Sequence, residues 1–186
     1  PLTEQGIALG RKLFYDGILS KDGNFPCASC HQQFAAFATF DHDLSHGVGD
    51  AFTTRNAQGL FNLAWQTEFH HDGGIKNLEH QPLAPLTAPN EMGETLENVL
   101  RKLKEKESYR QAFKAAFGDD QINSQRLLKA IAQFTVSLVS AGSKYDKVQR
   151  GEAQFDFYES AGYAAFQKKC ASCHTEPLFT DNSYRN

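Results

Sequence analysis

Two short stretches hold the residues whose types and spacing can do chemistry. They are Cys27-Ala28-Ser29-Cys30-His31, preceded by Pro26, and Cys170-Ala171-Ser172-Cys173-His174. C-x-x-C-H is the attachment signature of c-type haem. Two thiols three positions apart on a tight turn can add across the two vinyl groups of one porphyrin, and the adjacent histidine then reaches the iron from one face. Iron held this way has a proximal imidazole, so the residues on the opposite face decide between electron transfer and peroxide chemistry. Other readings of paired cysteines fit less well. A four-thiolate zinc site usually draws its pairs from within some tens of residues of each other, and these pairs lie far apart. A thioredoxin-like dithiol sits beside a βαβ pattern, which this chain does not show. The two motifs use all four cysteines and leave none for disulfides. The expectation is two covalently bound haem c groups.

The elements that must position these motifs read as helices. With 186 residues and 40% hydrophobic composition the chain can bury a real core. A net charge of -3 gives no basic footprint for nucleic acid, and no apolar run approaches a membrane span. Fifteen Phe against one Met and one Trp suits aromatic packing around porphyrins. Covalent haem attachment is normally completed outside the bacterial cytoplasm, so a periplasmic address is expected, with an export signal removed before Pro1.

Thr3 can cap a first helix with Ile7, Gly10 and Phe14 facing inward, stopped at Asp16-Gly17. Gly10 and Phe14 recur as Gly162 and Phe166, each pair on a helix just before a C-x-x-C-H, which points to two similar haem modules. From Gln32 to Glu91 the chain has little helical period, many Gly, Asn, Asp and Pro residues, and five of the seven histidines. A loop region of that length is expected to line a site, and a haem's distal face is the candidate. Pro82, Pro85 and Pro89 stiffen its last part. Helical period resumes after Thr95 with Leu96, Val99, Leu100 and Leu103. It continues with Tyr109, Ala112, Phe113, Ala116 and Phe117 up to Gly118. Ser124 can cap a further helix with Leu127, Ile131, Phe134 and Leu138 on one stripe, a helix expected to be buried on most sides. The polar stretch Ser143 to Glu152 reads as a linker. Strand signals are few, so the class is all-α. It would consist of two cytochrome-like haem modules, residues 1–142 and 143–186, the second incomplete, with further sequence expected after Asn186.

In these residues the chain resembles the bacterial dihaem cytochrome c peroxidases and the related dihaem enzymes that mature methylamine dehydrogenase. The likeness extends past the haem motifs to Leu13-Phe14-Tyr15-Asp16, Leu19-Ser20-Lys21-Asp22-Gly23, Leu44-Ser45-His46-Gly47, Thr54-Arg55-Asn56-Ala57 and His71-Asp72-Gly73-Gly74. It continues in Leu78-Glu79-His80-Gln81, Asn90-Glu91-Met92 and Pro177-Leu178-Phe179-Thr180-Asp181-Asn182.

The resemblance implies that His31 is the proximal ligand of a peroxidatic haem and His174 that of an electron-transfer haem. Glu91 matches the acid-base residue of the distal pocket, a role that a carboxylate over the haem can fill by moving a proton between the two peroxide oxygens. His46 matches a labile distal iron ligand, and Asn56 a calcium ligand, a hard oxygen donor suited to that ion. His71 stands where the family usually has Trp, on the route between the haems, and Trp65 lies nearby in sequence. The resemblance further implies hydrogen peroxide as substrate, a small cytochrome c or cupredoxin as electron donor, and a homodimer. Two alternatives share these residues: oxidation of a protein substrate through a high-valent dihaem state, and a non-enzymatic dihaem electron carrier.

Overall fold

The computed structural model describes residues 2–183. Among them the regular structure is helical: α1 (Glu4–Tyr15), α2 (Leu83–Thr87), α3 (Leu96–Lys104), α4 (Glu107–Phe117), α5 (Ser124–Val136), α6 (Lys144–Gln149) and α7 (Phe157–Lys169). Short 3-10 turns and three isolated antiparallel bridges complete it, so the all-α expectation holds. The chain divides into two compact units between Leu138 and Val139.

In the first unit α1 begins where the Thr3 hydroxyl accepts the Gly6 N–H at 3.0 Å. Its buried stripe is Gly6, Leu9, Gly10, Leu13 and Phe14, with Ile7 only half-buried. This stripe lies on α5. Gly10 permits the approach, because a Cβ there would stand 1.9 Å from the Ala130 carbonyl oxygen. Gln133 of α5 accepts the Thr3 N–H at 2.9 Å through Oε1 and so ties the start of α1 to its partner.

Helices α3 and α4 match their sequence stripes. The Thr95 hydroxyl caps α3 by accepting the Asn98 N–H, and Gly118 ends α4 in the left-handed region with φ 91. The cap of α5 is Asn123, whose side chain accepts the Arg126 N–H at 3.0 Å; Ser124 is already helical. Eight residues of α5 are buried, as its apolar surround predicted, but the helix stops at Val136, short of Leu138. Leu9, Leu13, Leu19, Leu86, Met92, Val99, Leu103, Tyr109, Phe113, Leu127 and Ile131 form one core. Its polar attachments are internal: Tyr109 donates to Asp16 Oδ2 at 2.7 Å, and Lys102 reaches the Ser20 carbonyl at 2.6 Å and Glu94 Oε2 at 2.5 Å.

Residues 32–91 form the expected loop region, interrupted by 3-10 turns and by α2. It is not slack. The bridges Gln32↔Ala38, His46↔Phe52 and Phe69↔Ile75 each close a small loop, which fixes the chain without a sheet.

In the second unit the stretch read as a linker contains α6, begun by a capping box between Ser143 and Asp146. Helix α7 starts with the same device, Asp156 with Glu159, and Lys144 pairs with Glu159. Sequence reading missed α6 because six residues carry less than two turns of periodicity.

Candidate haem site

The first motif is built from a turn outward. Pro26 is extended, Cys27–Ser29 forms a 3-10 turn, and the N–H groups of Cys30 and His31 both donate to the Cys27 carbonyl, at 3.2 and 3.0 Å. This folds the two thiols and the imidazole onto one side of a single turn. The His31 ring is oriented by its Nδ1, which lies 2.7 Å from the Phe37 carbonyl oxygen. Phe37 presents that carbonyl from a left-handed backbone, φ 61, and Phe14 of α1 packs 5.9 Å from the Phe37 ring and 6.3 Å from His31. A hydrogen-bonded Nδ1 leaves Nε2 as the lone pair for a metal. Burial holds the His31 pKa below its ordinary value, against the opposing carbonyls of Phe37 and Gln58, and so favours the neutral, ligating form.

The second motif repeats this construction. Cys173 and His174 donate to the Cys170 carbonyl at 3.1 and 2.9 Å, and His174 Nδ1 lies 3.1 Å from the Phe179 carbonyl oxygen. Phe179 is left-handed too, φ 58, and Phe166 of α7 packs 5.4 Å from it. The paired helix Phe and carbonyl-presenting Phe are therefore common to both motifs, and the recurrence of Phe14 as Phe166 acquires a physical meaning.

The thiols of the first motif are not poised as free nucleophiles. Burial pushes Cys27 up to about 12. Cys30 is raised by burial as well, with Ser45 opposing and the Glu91 charge adding to the rise. No group of three His, Cys, Asp or Glu side chains able to hold a metal ion occurs among the described residues.

A cleft opens in front of Cys30 and His31 and has two parts. The apolar part runs along Phe14, Phe25, Cys27, Leu86, Met92 and Ile131 and encloses about 610 Å³ of empty space, mouth included. The polar part, about 1050 Å³ on the same measure, is lined by Ser45, Thr53, Arg55, Gln58, His70, His71 and Asp72. Glu91, Gln81, Pro85 and Leu60 border both parts. An apolar slot with two thiols and an oriented imidazole on its wall, opening into a polar rim, fits a porphyrin whose carboxylate edge needs polar company. The residues present therefore suit haem c.

Glu91 lines both parts of the cleft together with Cys30 and His31. Burial raises its pKa and the charge of His70 lowers it, with burial the larger effect. His46 is placed differently: it lines neither part of the cleft, and its ring packs tilted against Phe52, centroids 4.4 Å apart, and edge-on against His42 at 5.0 Å. Its carbonyl oxygen lies 3.5 Å from Cys30 Sγ, so its backbone borders the site. Asn56 uses its amide N–H groups on the carbonyls of His42 and Asp43, at 3.0 and 3.2 Å, which leaves Oδ1 as the atom a cation would use. His71 Nε2 pairs with the Asn56 carbonyl oxygen at 3.0 Å, and Trp65 is about half exposed. Sequence reasoning gave no role to His70 or Gln81. The run of two histidines at 70–71 and the Gln exactly ten positions before Glu91 carry no periodic signal, and only the closed loops bring them to the cleft.

A family model described as di-haem cytochrome c peroxidase matches residues 4–154. The methylamine utilization protein MauG of Methylorubrum extorquens is 35% identical over an alignment that takes in 100% of this chain and 54% of that protein. The cytochrome c551 peroxidase of Nitrosomonas europaea is 34% identical over 95% of this chain and 53% of its own length. Among solved structures, a MauG-like protein associated with microbial copper homeostasis superposes with a TM-score of 0.87 at 31% identity, covering 100% of this chain and 57% of that one. The diheme peroxidase BthA of Burkholderia thailandensis gives 0.85 at 25% identity, over 97% and 54%. The chain thus spans about half the length of the relatives it matches.

Proposed function

The chain belongs to the di-haem cytochrome c peroxidase family, and from that membership we propose that it reduces hydrogen peroxide to water at the first haem site with electrons from a small periplasmic donor protein. In this reading residues 1–142 are the peroxidatic module and residues 143–186 begin the electron-transfer module. Covalent haem attachment through Cys27 and Cys30, and through Cys170 and Cys173, with His31 and His174 as axial ligands, belongs to the same proposal, as do a calcium ion at Asn56 and dimerisation.

The observation that carries the reading is the position of Glu91. Glu91 borders both parts of the cleft that faces Cys30 and His31. Haem held by Cys27, Cys30 and His31 would supply the iron redox chemistry that delivers two electrons to peroxide. The residues supply the rest. An ionised Glu91 takes the proton from the near peroxide oxygen and returns it to the departing one, so that peroxide, two electrons and two protons give two waters. The Phe37 carbonyl keeps the His31 ring fixed, and the apolar wall of Leu86, Met92 and Ile131 excludes water from one side.

Replacing Glu91 with Gln keeps the shape and removes the proton relay. Peroxide turnover should fall by about 10²–10⁴-fold with haem content unchanged. Turnover at the wild-type rate would overturn the assignment. Similarity to MauG at 35% identity favours one second reading, long-range oxidation of a protein substrate. Steady peroxide consumption driven by a reduced small cytochrome or cupredoxin distinguishes the peroxidase from that alternative.

A further inference from the structure

His70 is a polar side chain of the cleft to which peroxide chemistry assigns no task. Its Nε2 is buried with no hydrogen-bond partner, a condition that few native polar groups show. It lines the polar part of the cleft together with Glu91, and its charge acts on the Glu91 carboxylate. The backbone at His70 is left-handed, φ 68, which a non-glycine residue adopts only when its surroundings impose it. Here the imposing structure is visible: Phe69 N–H donates to the Ile75 carbonyl at 2.8 Å, and Gly73 N–H to the His70 carbonyl at 3.3 Å. The neighbouring His71 uses its Nε2 on the Asn56 carbonyl instead. Both histidines of this closed loop line the polar part of the cleft, but His71 is tied to the scaffold while His70 Nε2 is left without a partner. The other ionisable groups on the polar side are Arg55 and Asp72, paired at 2.8 Å, His71, His31 and Cys30.

A guest that both donates and accepts hydrogen bonds can satisfy His70 Nε2 and the Glu91 carboxylate together, and water and peroxide are such guests. We propose that His70 is a second distal residue, whose Nε2 and the Glu91 carboxylate hold one small oxygen ligand from two sides, His70 fixing its orientation and Glu91 moving its proton. The proposal rests on reading the cleft as the peroxide site.

Fluoride tests it without turnover, because this small anion binds an open haem iron, accepts hydrogen bonds and is not reduced. Its affinity is read from the absorption spectrum of the full-length holoprotein, oxidised and half-reduced, for wild type, His70→Asn and His70→Gln. Asn tolerates the left-handed backbone but is too short to reach, so His70→Asn should bind fluoride roughly tenfold more weakly, the loss of one hydrogen bond to a charged group. The longer amide of His70→Gln should restore most of that loss. Equal affinities for wild type and His70→Asn at equal haem content would overturn the proposal, as would wild-type protein that binds no fluoride in either redox state. Weaker fluoride binding by His70→Asn in a protein that does not consume peroxide would sink the peroxidase reading and leave the two-sided grip standing.

Discussion

The backbone N–H of Val48 donates to the carbonyl of Glu91 at 2.8 Å. Immediately before it, a Cβ on Gly47 would stand 2.1 Å from the Asn90 carbonyl oxygen. Asn90 in turn donates from Nδ2 to the Phe52 carbonyl at 3.2 Å. The loop that follows His46 and the segment that holds Glu91 are thus one backbone assembly, and a displacement of either must disturb the other.

That contact predicts the effect of one methyl group. Gly47→Ala forces the loop off Asn90 and Glu91, an overpacking that typically costs about 1–3 kcal/mol. The expected result is a lower unfolding temperature and reduced peroxide turnover, with haem content near wild type. Unchanged stability and turnover would show that the loop and Glu91 move independently.

Glu91 should set the acid limb of activity. Because burial raises its pKa, the carboxylate ionises at higher pH than an ordinary glutamate, and the limb should lie correspondingly high and vanish in Glu91→Gln. The sign for stability is opposite to that for activity. A carboxyl whose folded pKa is raised favours folding in its protonated form, and that contribution is lost as pH rises through the folded pKa. Glu91→Gln should therefore be the more stable protein at neutral pH, the advantage disappearing in acid. Thermal unfolding at several pH values reads this directly, and a Gln variant less stable than wild type at neutral pH would contradict it.

Much of this was legible in the sequence, for identifiable reasons. Helices α1, α3, α4 and α5 announce themselves because their apolar residues repeat at helical spacing between cap and stop signals, whereas α7, which buries no residue, is legible only through the recurrence of Gly10 and Phe14 as Gly162 and Phe166. The haem motifs are legible because the attachment signature fixes residue type and spacing together. Helix α6 is too short to show a period, and the cap of α5 falls one residue earlier than Ser124 because Asn123 competes for the same role. The distal side was the least legible. His70 and Gln81 reach the cleft through loop closures such as Phe69↔Ile75, which depend on backbone pairing and not on side-chain pattern. The equivalence of Phe37 and Phe179 was hidden for a similar reason: they follow their histidines by six and five residues, so alignment by spacing misses what the shared left-handed backbone reveals.

Glu94 and Lys102 give a prediction about the scaffold. Both side chains are largely buried and lie 2.5 Å apart, and Lys102 also binds the Ser20 carbonyl ahead of the first motif. Burial alone would raise Glu94, but the hydrogen bonds from Lys102, the Thr95 N–H and Asn98 outweigh it and leave its pKa lowered. A lowered carboxyl pKa stabilises the fold above the unfolded pKa and loses that effect as pH falls through the folded value. Lys102→Met leaves the carboxylate buried without its cation, which typically costs about 3–5 kcal/mol. Chemical denaturation should show that loss at neutral pH and a smaller one in acid. An equal loss at both pH values would assign it to packing alone.

His46 carries the last prediction, that it closes the first haem site in the fully oxidised protein and leaves when the second haem is reduced. Its ring is packed against Phe52, and its backbone pairs with Phe52 across a loop that contains Gly47 and Gly49. To reach the cleft the ring must leave that contact, which is worth about 0.5–1.5 kcal/mol for an aromatic pair. A difference of that size shifts a two-state equilibrium by roughly two- to tenfold. Phe52→Ala should therefore raise the six-coordinate, low-spin fraction of the oxidised protein by that factor. His46→Gly should leave the iron high-spin and open to peroxide without prior reduction. Absorption and electron paramagnetic resonance spectra distinguish the two populations. If oxidised wild-type protein is already high-spin and stays so in Phe52→Ala, His46 is a loop residue held by Phe52, and access to the iron is controlled by Glu91 and its neighbours alone.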